Sequence, residues 1–411
     1  MGKYCTMSDG VKRTIFLVDM NAFFISCEMS RRPELKNKPA AVAGDPKNRM
    51  GIILAANYDA RAFGVKTTML VHEAKKLCPG IILVPPDHVF YEKKSELVME
   101  ILSQYTPVLQ QNSIDEAWLD LTGCEGLFGE PVQIAEKIMD EIRNKLDLWC
   151  SIGVSDNKFL AKMASDMKKP LGITELWQKD ISTKLWPLKV GEMYGVGKKT
   201  EKRLMELGIL TIGDIARCDK GILRSSFGKY GEEMRLLANG IDPSPVTPHP
   251  KHETRSISRS TTLTRDIDNF DYAKKVLLDL AEEVGMEARR NEFKGRTVSI
   301  SIRYSDFTTI TRQRSISPSY LTKDIYNTGI SLLKDNWREG RPIRLLGIGI
   351  GNINEDIFEQ LSIFDINNEL QDKGKKEEKL ERTIDSIRIR FGTDKLKRAK
   401  LLEELDREKH S

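Results

Sequence analysis

The stretch NSIDEAWLD, residues 112–120, places two adjacent carboxylates inside an apolar run. Its alternating pattern predicts a β-strand, in which neighbouring side chains point to opposite faces. Asp115 and Glu116 repel each other and resist burial, so a positive group should lie between them. They can share one cation only near a strand end or turn, where the backbone lets both approach it. Two solvated strand-end carboxylates remain an alternative from this stretch alone.

A third carboxylate ends another predicted strand, far upstream. Residues 14–19, TIFLVD, form a short β-rich apolar run that ends on Asp19. If the two strands pair, three carboxylates meet at their ends. Three hard oxygen donors around an open space suit Mg²⁺, which keeps waters and shares itself with substrate phosphates. The sequence therefore predicts a magnesium site built from Asp19, Asp115 and Glu116.

The composition indicates a multidomain protein that does not enter a membrane. A length of 411 residues implies two to four domains, and 40% hydrophobic residues can form real cores. No stretch approaches the roughly 18 apolar residues of a membrane span, and the N-terminus lacks the apolar core of a signal peptide. We therefore expect a cytoplasmic location. Six cysteines occur without a CxxC or Cys/His cluster, so reduced thiols are expected rather than disulfides or a zinc site.

Two predicted helices in the N-terminal half contain aromatic residues of interest. Phe23 and Phe24 lie on one face of a helix predicted within residues 20–31, where core packing is the default interpretation. Tyr58 and Arg61 lie three residues apart in NYDARAFG, residues 57–64, on one face of a second helix. An arginine beside an exposed aromatic ring can bind phosphate while the ring stacks on a sugar or base.

Lysines follow the strand predicted over residues 150–155. They lie on or just after a helix that stops before Pro170, where they could neutralise a triphosphate or complement the helix C-terminus. These lysines are Lys158, Lys162, Lys168 and Lys169.

Residues 188–216 have the pattern of a helix-hairpin-helix. A turn containing Gly195 and Gly197 precedes a helix predicted from Lys198, a glycine stop at Gly208 and a second helix from Ile212. This pattern is typical of sequence-independent contact with a DNA backbone, because the small turn lets N–H groups approach a phosphate closely. Basic residues outnumber acidic ones over residues 179–352, which suits a polyanion partner and also a solvated basic face.

Beyond a proline-rich tether at residues 242–251, the elements follow the order βαββαβ. This order predicts a ferredoxin-like domain. Arginines in or beside its strands predict a sheet face that lies along a duplex backbone, with protection of the sheet edges as the alternative. They are Arg255, Arg259, Arg265, Arg303, Arg312 and Arg314.

The pentapeptide QLSIF, residues 360–364, follows the last predicted domain. Exposed leucine, isoleucine and phenylalanine side chains outside any core predict a docking peptide. Residues 365–411 carry mixed charge, with helices predicted over residues 377–390 and 394–409, and no function is predicted for them.

Taken in order, these motifs resemble those of the Y-family translesion DNA polymerases, especially the bacterial members. SIDEAWLD, residues 113–120, matches the central acidic motif of the family, and VDMNAFF, residues 18–24, its first motif. ANYDARAFG, residues 56–64, matches the nucleotide-binding segment, and residues 152–172 match a further hallmark. QLSIF is similar to a sliding-clamp-binding peptide.

The resemblance implies an α+β multidomain protein with a right-hand polymerase fold. A palm would span residues 1–31 and 91–178, small fingers 32–90, a helix-hairpin-helix thumb 179–250 and a ferredoxin-like little finger 251–352. A clamp-binding peptide over residues 353–364 and a charged tail over 365–411 would follow. The implied protein is a monomer that copies primer–template DNA from dNTPs with low fidelity. It would bind a sliding clamp through Gln360, Leu361, Ile363 and Phe364.

The resemblance also implies residue roles. Two Mg²⁺ ions about 4 Å apart would be held by the carboxylates of Asp19, Asp115 and Glu116 and by the Met20 carbonyl, one ion activating the primer hydroxyl and the other neutralising the triphosphate. Phe24 would be a steric gate against ribose. Further nucleotide contacts would come from Phe23, Tyr58, Arg61 and Lys169. DNA contacts would come from Gly195, Gly197, Lys198 and the little-finger arginines.

Two positions depart from the pattern of the resemblance. Ala55 stands where many relatives offer a hydroxyl to the phosphates, and Asn21 replaces a frequent acidic residue. Small residues in the fingers, Ala55, Ala56 and Ala60, imply a roomy site with weak discrimination against mispairs. A DNA-binding scaffold without catalysis and a nucleotide cyclase with a similar palm are the competing interpretations.

Overall fold

The computed structural model describes residues 13–45, 51–248, 255–338, 340–353, 368–392, 395–396 and 398. The described residues divide into two compact units, the first ending at residue 248 and the second beginning at residue 255. Within the described ranges, no helix is long and apolar enough to cross a lipid bilayer. The five described cysteines, which carry free thiols, are Cys27, Cys78, Cys124, Cys150 and Cys218.

The first unit alternates short strands with helices. Its strands are β1 (Ile15–Met20), β2 (Ala40–Ala43), β3 (Ile53–Ala56), β4 (Ile82–Val84), β5 (Leu109–Gln111), β6 (Glu116–Asp120), β7 (Cys150–Ser155) and β8 (Ile173–Glu175). Its α-helices are α1 (Phe23–Arg31), α2 (Tyr58–Ala62), α3 (Val71–Leu77), α4 (His88–Ser103), α5 (Glu125–Phe128), α6 (Pro131–Leu146), α7 (Lys158–Met167), α8 (Lys198–Glu206), α9 (Ile212–Arg217), α10 (Lys220–Phe227) and α11 (Lys229–Ala238).

The central sheet of this unit has the order β5-β6-β1-β7-β8. The predicted pairing of the two acidic strands is confirmed, because β1 runs antiparallel to β6 with Asp19 opposite Glu116. Alternation along β1 sends Phe16 and Val18 into a core with α4 and α6, whereas Leu17 packs with α7 on the other face. The side chains of Asp19 and Glu116 therefore lie on the face that α7 covers.

A second, three-stranded sheet lies between β1 and α4 in the chain. β2 pairs antiparallel with β3 and parallel with β4. Asn57 follows β3 and caps α2, because its Oδ1 accepts a hydrogen bond from the Ala60 N–H at 2.9 Å. The same oxygen accepts a hydrogen bond from the Ala40 N–H of β2 at 3.0 Å. This cap makes α2 begin at Tyr58 and fixes the orientation of the Tyr58–Arg61 face.

The helical hairpin predicted from the glycine spacing is present at α8 and α9. Gly195 has a φ of +90° and Gly208 a φ of +75°, both in the left-handed region that glycine adopts without strain. Thr211 caps α9 through a hydrogen bond from the Asp214 N–H at 3.1 Å. Two further helices, α10 and α11, complete this helical part, and the sequence patterns did not predict them.

The second unit confirms the βαββαβ order. Its elements are β9 (Ser256–Ile267), α12 (Phe270–Arg290), β10 (Gly295–Tyr304), β11 (Thr309–Ser319), α13 (Thr322–Asn336), β12 (Ile343–Gly351) and the additional helix α14 (Asn368–Phe391). The sheet order is β11-β10-β12-β9, with every pairing antiparallel. Residues of α12 and α13 form one core with the apolar face of this sheet.

The expectation that the strand arginines share one open sheet face is wrong. Arg259 and Arg312 pair in register with Ile348 and Ile300, which are core residues, so both arginines lie on the helix-covered side of the edge strands. Arg259 bonds Glu287 of α12, Arg312 donates to Asn336 of α13 at 3.0 Å, and Arg314 pairs with Asp335 of α13 at 3.0 Å. Arg303 lies on the opposite face beside Thr309, to which it donates at 3.0 Å.

The charged tail contains a helix that docks on this unit through buried charges. Arg289 of α12 is 4% exposed and binds both carboxylate oxygens of Asp385 at 2.6 and 3.0 Å, and it also pairs with Glu381. Arg388 reaches Glu282 of α12 at 2.7 Å. The helix predicted over residues 377–390 is therefore confirmed as part of α14. Three of its charged residues, Glu381, Asp385 and Arg388, are buried in an interface with the rest of the unit.

Candidate active site

A cavity of about 310 Å³ opens in the first unit, where the central sheet meets the three-stranded sheet. Every residue predicted to bind metal or nucleotide lines this cavity. The lining residues are Asp19, Met20, Asn21, Ala22, Phe23, Phe24, Leu54, Ala55, Tyr58, Arg61, Thr67, Asp115, Glu116, Lys162 and Lys169.

The three predicted carboxylates reach this cavity from neighbouring backbone segments. Asp19 lies near the end of β1, and Glu116 begins β6 directly opposite it. Asp115 lies in the bend before β6, so it is not forced to the face opposite Glu116. Its carbonyl accepts a hydrogen bond from the Met20 N–H at 2.9 Å, and the Ser113 hydroxyl donates to its Oδ1 at 2.6 Å. Asp115 and Glu116 therefore lie at a strand end, which is where both could approach one cation.

Two lysines neutralise these carboxylates. The Nζ of Lys162 lies 2.9 Å from Asp19 Oδ2 and 2.5 Å from Glu116 Oε1. The Nζ of Lys169 lies 2.7 Å from the same Asp19 oxygen. Lys162 of α7 is therefore the positive group predicted beside the acidic pair, and it contacts the Glu116 member of that pair. Lys169 also pairs with Asp166 at 2.8 Å.

Burial and charge act in opposite directions on these groups. Burial raises the pKa of Asp19, and its hydrogen bond with Glu116 adds to the rise, while the two lysines oppose it. Burial also acts to raise the pKa of Glu116, but hydrogen bonds with Asp19 and Lys162 outweigh it and leave that pKa below its usual value. Burial acts to lower the pKa of Lys162, yet Asp19 and Glu116 raise it above its ordinary value. Lys162 is therefore held as a cation.

The expected meeting of three carboxylates is only partly observed. Within the described residues, no three Asp, Glu, His or Cys side chains converge closely enough to form a closed metal cage. The reason is local, because Lys162 and Lys169 bind Asp19 and Glu116 while Ser113 binds Asp115. The donor set still fits a hard divalent cation, since three carboxylates line one open cavity together with Met20.

Tyr58 and Arg61 lie on one face of α2, as predicted. The Arg61 guanidinium lies 5.0 Å from the Tyr58 ring centroid, and its Nε donates to the Ala56 carbonyl at 2.9 Å. The Tyr58 hydroxyl is buried and has no hydrogen-bond partner among the described residues. Because an unsatisfied buried hydroxyl is costly, this group suits a ligand oxygen within the cavity.

Phe24 lines the cavity, and the ring of Tyr91 supports it. Its ring stacks on Tyr91 with centroids 4.6 Å apart and planes inclined by 16°. The Tyr91 hydroxyl donates to Glu28 at 2.8 Å, which fixes the supporting ring. Phe24 is half-buried, whereas Phe23 is 3% exposed and belongs to the core of α4 and α6. The aromatic side chain at Phe24 therefore presents a rigid surface to any ligand.

The two departures from the pattern of the resemblance have structural explanations. Asn21 is buried, and its amide joins Ser151 of β7 at 3.1 Å and the Leu171 N–H at 2.9 Å. It therefore braces the segment that carries Lys169. Ala55 lines the cavity without a hydroxyl, but Thr67, which the sequence analysis missed, lines the same cavity and carries one.

The other two predicted small residues do not widen the cavity. Ala56 and Ala60 are fully buried in the core of the three-stranded sheet and helices α2 and α3. Only Ala55 of the three predicted small residues faces the ligand space. The roomy-site prediction therefore depends on Ala55.

The predicted DNA- and clamp-binding residues are placed as follows. Gly195, Gly197 and Lys198 are exposed, with the Lys198 side chain 94% accessible beside Glu201. Gly195 accepts a hydrogen bond at its carbonyl from the Tyr230 hydroxyl at 2.7 Å, which ties the hairpin turn to α11. Arg255 is exposed just before β9. Gln360, Leu361, Ile363 and Phe364 lie outside the described residues.

Comparisons with known proteins agree over nearly the whole chain. Family models match the impB/mucB/samB family over residues 18–166, the C-terminal domain of that family over residues 254–363 and the IMS family HHH motif over residues 179–209. DNA polymerase IV of Clostridium kluyveri is 57% identical over 95% of this chain and 98% of that protein. DNA polymerase IV of Alkaliphilus oremlandii is 51% identical over 94% of this chain and 98% of that protein.

A solved structure is also similar. It is a Y-family DNA polymerase chimera of Dbh and Dpo4, with a TM-score of 0.73 and 27% sequence identity. The similarity covers 83% of this chain and 99% of the chimera.

Proposed function

The chain belongs to the Y family of DNA polymerases, and on that premise we propose that its cavity is a two-metal nucleotidyl-transfer site of low fidelity. As a DNA-directed DNA polymerase of a translesion family, it extends a primer on a DNA template with dNTPs. This activity excludes the scaffold and cyclase interpretations. The observation that supports the site is one cavity containing Asp19, Asp115 and Glu116 beside Tyr58, Arg61 and Lys169.

Each residue has a task that follows from its chemistry. The oxygens of Asp19 and Asp115, with Glu116 and the Met20 carbonyl, would hold two Mg²⁺ ions. Bound there, the ions would supply the charge that ionises the primer 3′-hydroxyl and neutralises the triphosphate. Arg61 and Lys169 bind phosphate oxygens as cations, and the Tyr58 hydroxyl donates to one of them. These contacts align the α-phosphate for in-line attack.

Phe24 would select the sugar. The deoxyribose rests on its ring, and a ribose 2′-hydroxyl would clash because the stack on Tyr91 prevents the ring from withdrawing. Ala55 and the five-residue helix α2 leave the nascent pair loosely enclosed, which supports frequent misinsertion and tolerance of damaged templates. Misinsertion as rare as that of a replicative polymerase would contradict this part of the proposal.

The remaining expectations concern partners and location. The sequence QLSIF supports binding to a sliding clamp. Gly195, Gly197 and Lys198, together with the excess of basic over acidic residues in residues 251–352, support contacts with the DNA backbone. We also propose a monomer that acts in the cytoplasm, where the chromosome of a bacterium lies.

Asp115→Ala tests the site directly. Loss of one metal ligand should abolish Mg²⁺-dependent primer extension, while affinity for primer–template DNA, measured by fluorescence anisotropy, should change less than about twofold. Asp140→Ala on the exposed side of α6 is the matched control and should extend primers normally. Extension by Asp115→Ala at the control rate would refute the assignment.

A further inference from the structure

Lys162 differs from every other lysine that the structure describes. It is 7% exposed and is the only lysine in the buried class among the described residues. A buried ammonium is costly unless it is fully paired. Two of the carboxylates that pair with Lys162, Asp19 and Glu116, belong to the active site.

Three carboxylates surround the Lys162 ammonium. It donates hydrogen bonds to Asp19 Oδ2 at 2.9 Å and Glu116 Oε1 at 2.5 Å, and its Nζ lies 3.3 Å from Asp166 Oδ2. The second oxygen of Glu116 accepts a hydrogen bond from the Asn112 amide at 2.9 Å. The orientation of the Glu116 carboxylate is thus fixed from both sides.

The helix that carries Lys162 has little freedom to move. Its neighbours Ala161 and Met163 are buried, and α7 lies so close to β7 that an added Cβ on Gly153 would be 1.9 Å from the Ala161 carbonyl oxygen. This close approach holds the start of the Lys162 side chain beside Asp19 and Glu116. The ammonium is consequently a fixed part of the site.

Lys169 provides an internal comparison. It contacts the same Asp19 oxygen at 2.7 Å, but its side chain is 26% exposed and it lies beyond the end of α7. It can therefore exchange Asp19 for a phosphate group. Lys162, with a side chain 9% exposed, cannot make that exchange without leaving its three carboxylates.

We propose that Lys162 is a resident cation that positions Glu116 and cancels part of the negative charge of the site, so that divalent ions bind weakly until a triphosphate adds its own charge. This inference rests on the proposed two-metal function. Three ligand carboxylates would otherwise attract a divalent ion strongly without substrate, because like charges in a half-buried cleft are poorly screened. Lys162 is a positioning residue in this account, since it contacts the ligands and not the reacting atoms.

The test measures metal affinity separately from activity. Mn²⁺ is titrated into the full-length protein without DNA or dNTP, and free Mn²⁺ is read by electron paramagnetic resonance. Lys162→Met removes the charge, so Mn²⁺ should bind about tenfold tighter or more than to the wild type. Lys162→Gln, which keeps a hydrogen-bond donor, should show the same tightening, whereas Lys162→Arg should stay within about twofold of the wild type. Circular dichroism melting confirms which variants fold, and Lys162→Gln is the fallback if the methionine variant does not.

Steady-state primer extension adds a second readout. Lys162→Met should lower kcat with little change in KM for the dNTP, because Glu116 loses its orientation while the phosphate contacts remain. Lys169→Met is the matched control and should mainly raise KM for the dNTP. Equal or weaker Mn²⁺ affinity in the folded neutral variants would overturn the inference, because Lys162 would then only order the ligands.

The outcomes also separate this inference from the proposed function. If wild-type protein binds no Mn²⁺ in this site and Asp115→Ala still extends primers, the two-metal proposal fails. If Asp115→Ala loses Mn²⁺ binding while the Lys162 variants bind as the wild type does, only the role of Lys162 fails.

Discussion

Replacing Gly153 with alanine should disable the active site without removing any functional group. Gly153 lies in β7 where α7 crosses it, and a Cβ there would come within 1.9 Å of the Ala161 carbonyl oxygen and 2.5 Å of the Ser165 nitrogen. Both atoms belong to helix backbone, so no side chain can rotate away to relieve the clash. Since real Cβ contacts are essentially never shorter than 3.0 Å, α7 must withdraw by roughly 1 Å or more.

That displacement is enough to break the contacts of Lys162. The bond from its Nζ to Asp19 Oδ2 is 2.9 Å, and a withdrawal of this size would carry it beyond hydrogen-bonding distance. Overpacking of this kind costs about 1–3 kcal/mol of stability. A misplacement of about 1 Å in a catalytic site costs roughly 100-fold in rate. We therefore expect Gly153→Ala to fold with a lowered melting temperature and to lose about 100-fold in kcat/KM.

The assay is single-nucleotide primer extension combined with thermal unfolding. Gly126→Ala in α5 is the matched control, because no atom lies within 4 Å of its added Cβ, and it should change neither quantity appreciably. A folded Gly153→Ala variant with wild-type kcat/KM would refute the reasoning that the approach of α7 to β7 sets the geometry of the carboxylates.

Three further predictions concern other parts of the chain. Phe24→Ala should raise ribonucleotide incorporation by about tenfold or more in competition assays with paired rNTP and dNTP, whereas Tyr91→Phe keeps the supporting ring and should not; unchanged sugar discrimination would make Phe24 only a core residue. Asp385→Ala should destabilise the second unit by about 3 kcal/mol in calorimetry, because it leaves the buried Arg289 without one of its partners. Glu206→Ala removes an exposed ion pair and should cost under about 0.5 kcal/mol. Equal small losses in the two variants would show that these charges do not hold α14 in place. Deleting residues 360–364 should reduce clamp-stimulated synthesis and leave the basal rate unchanged, and an equal loss of both would indicate a structural role.

Much of the site could be predicted because its residues form local patterns. The alternation around Asp19 and around Glu116 predicts two strands, and antiparallel pairing alone brings the two carboxylates opposite each other. The cap at Asn57 and the three-residue spacing place Tyr58 and Arg61 on one helical face. Such features depend on neighbours in sequence, so the sequence is sufficient to find them.

Features that depend on which face a strand or helix turns toward a distant partner were harder to predict. The lysine run gave no reason to separate Lys162 from Lys169, because only the packing of α7 against β1 and β7 buries one and exposes the other. Arg259 and Arg312 were expected on an open sheet face, but the pairing register turns them toward α12 and α13. The sequence of α14 gave no sign that some of its charged residues are buried, because their partners Arg289 and Glu282 lie on α12, far away in sequence.

The most direct test of the two-metal site is anomalous diffraction from a crystal of the full chain with primer–template DNA, a non-reactive dNTP analogue and Mn²⁺. We predict two anomalous peaks about 4 Å apart, with carboxylate oxygens of both Asp19 and Asp115 coordinating them. A well-ordered complex in which neither carboxylate touches Mn²⁺ would contradict the account.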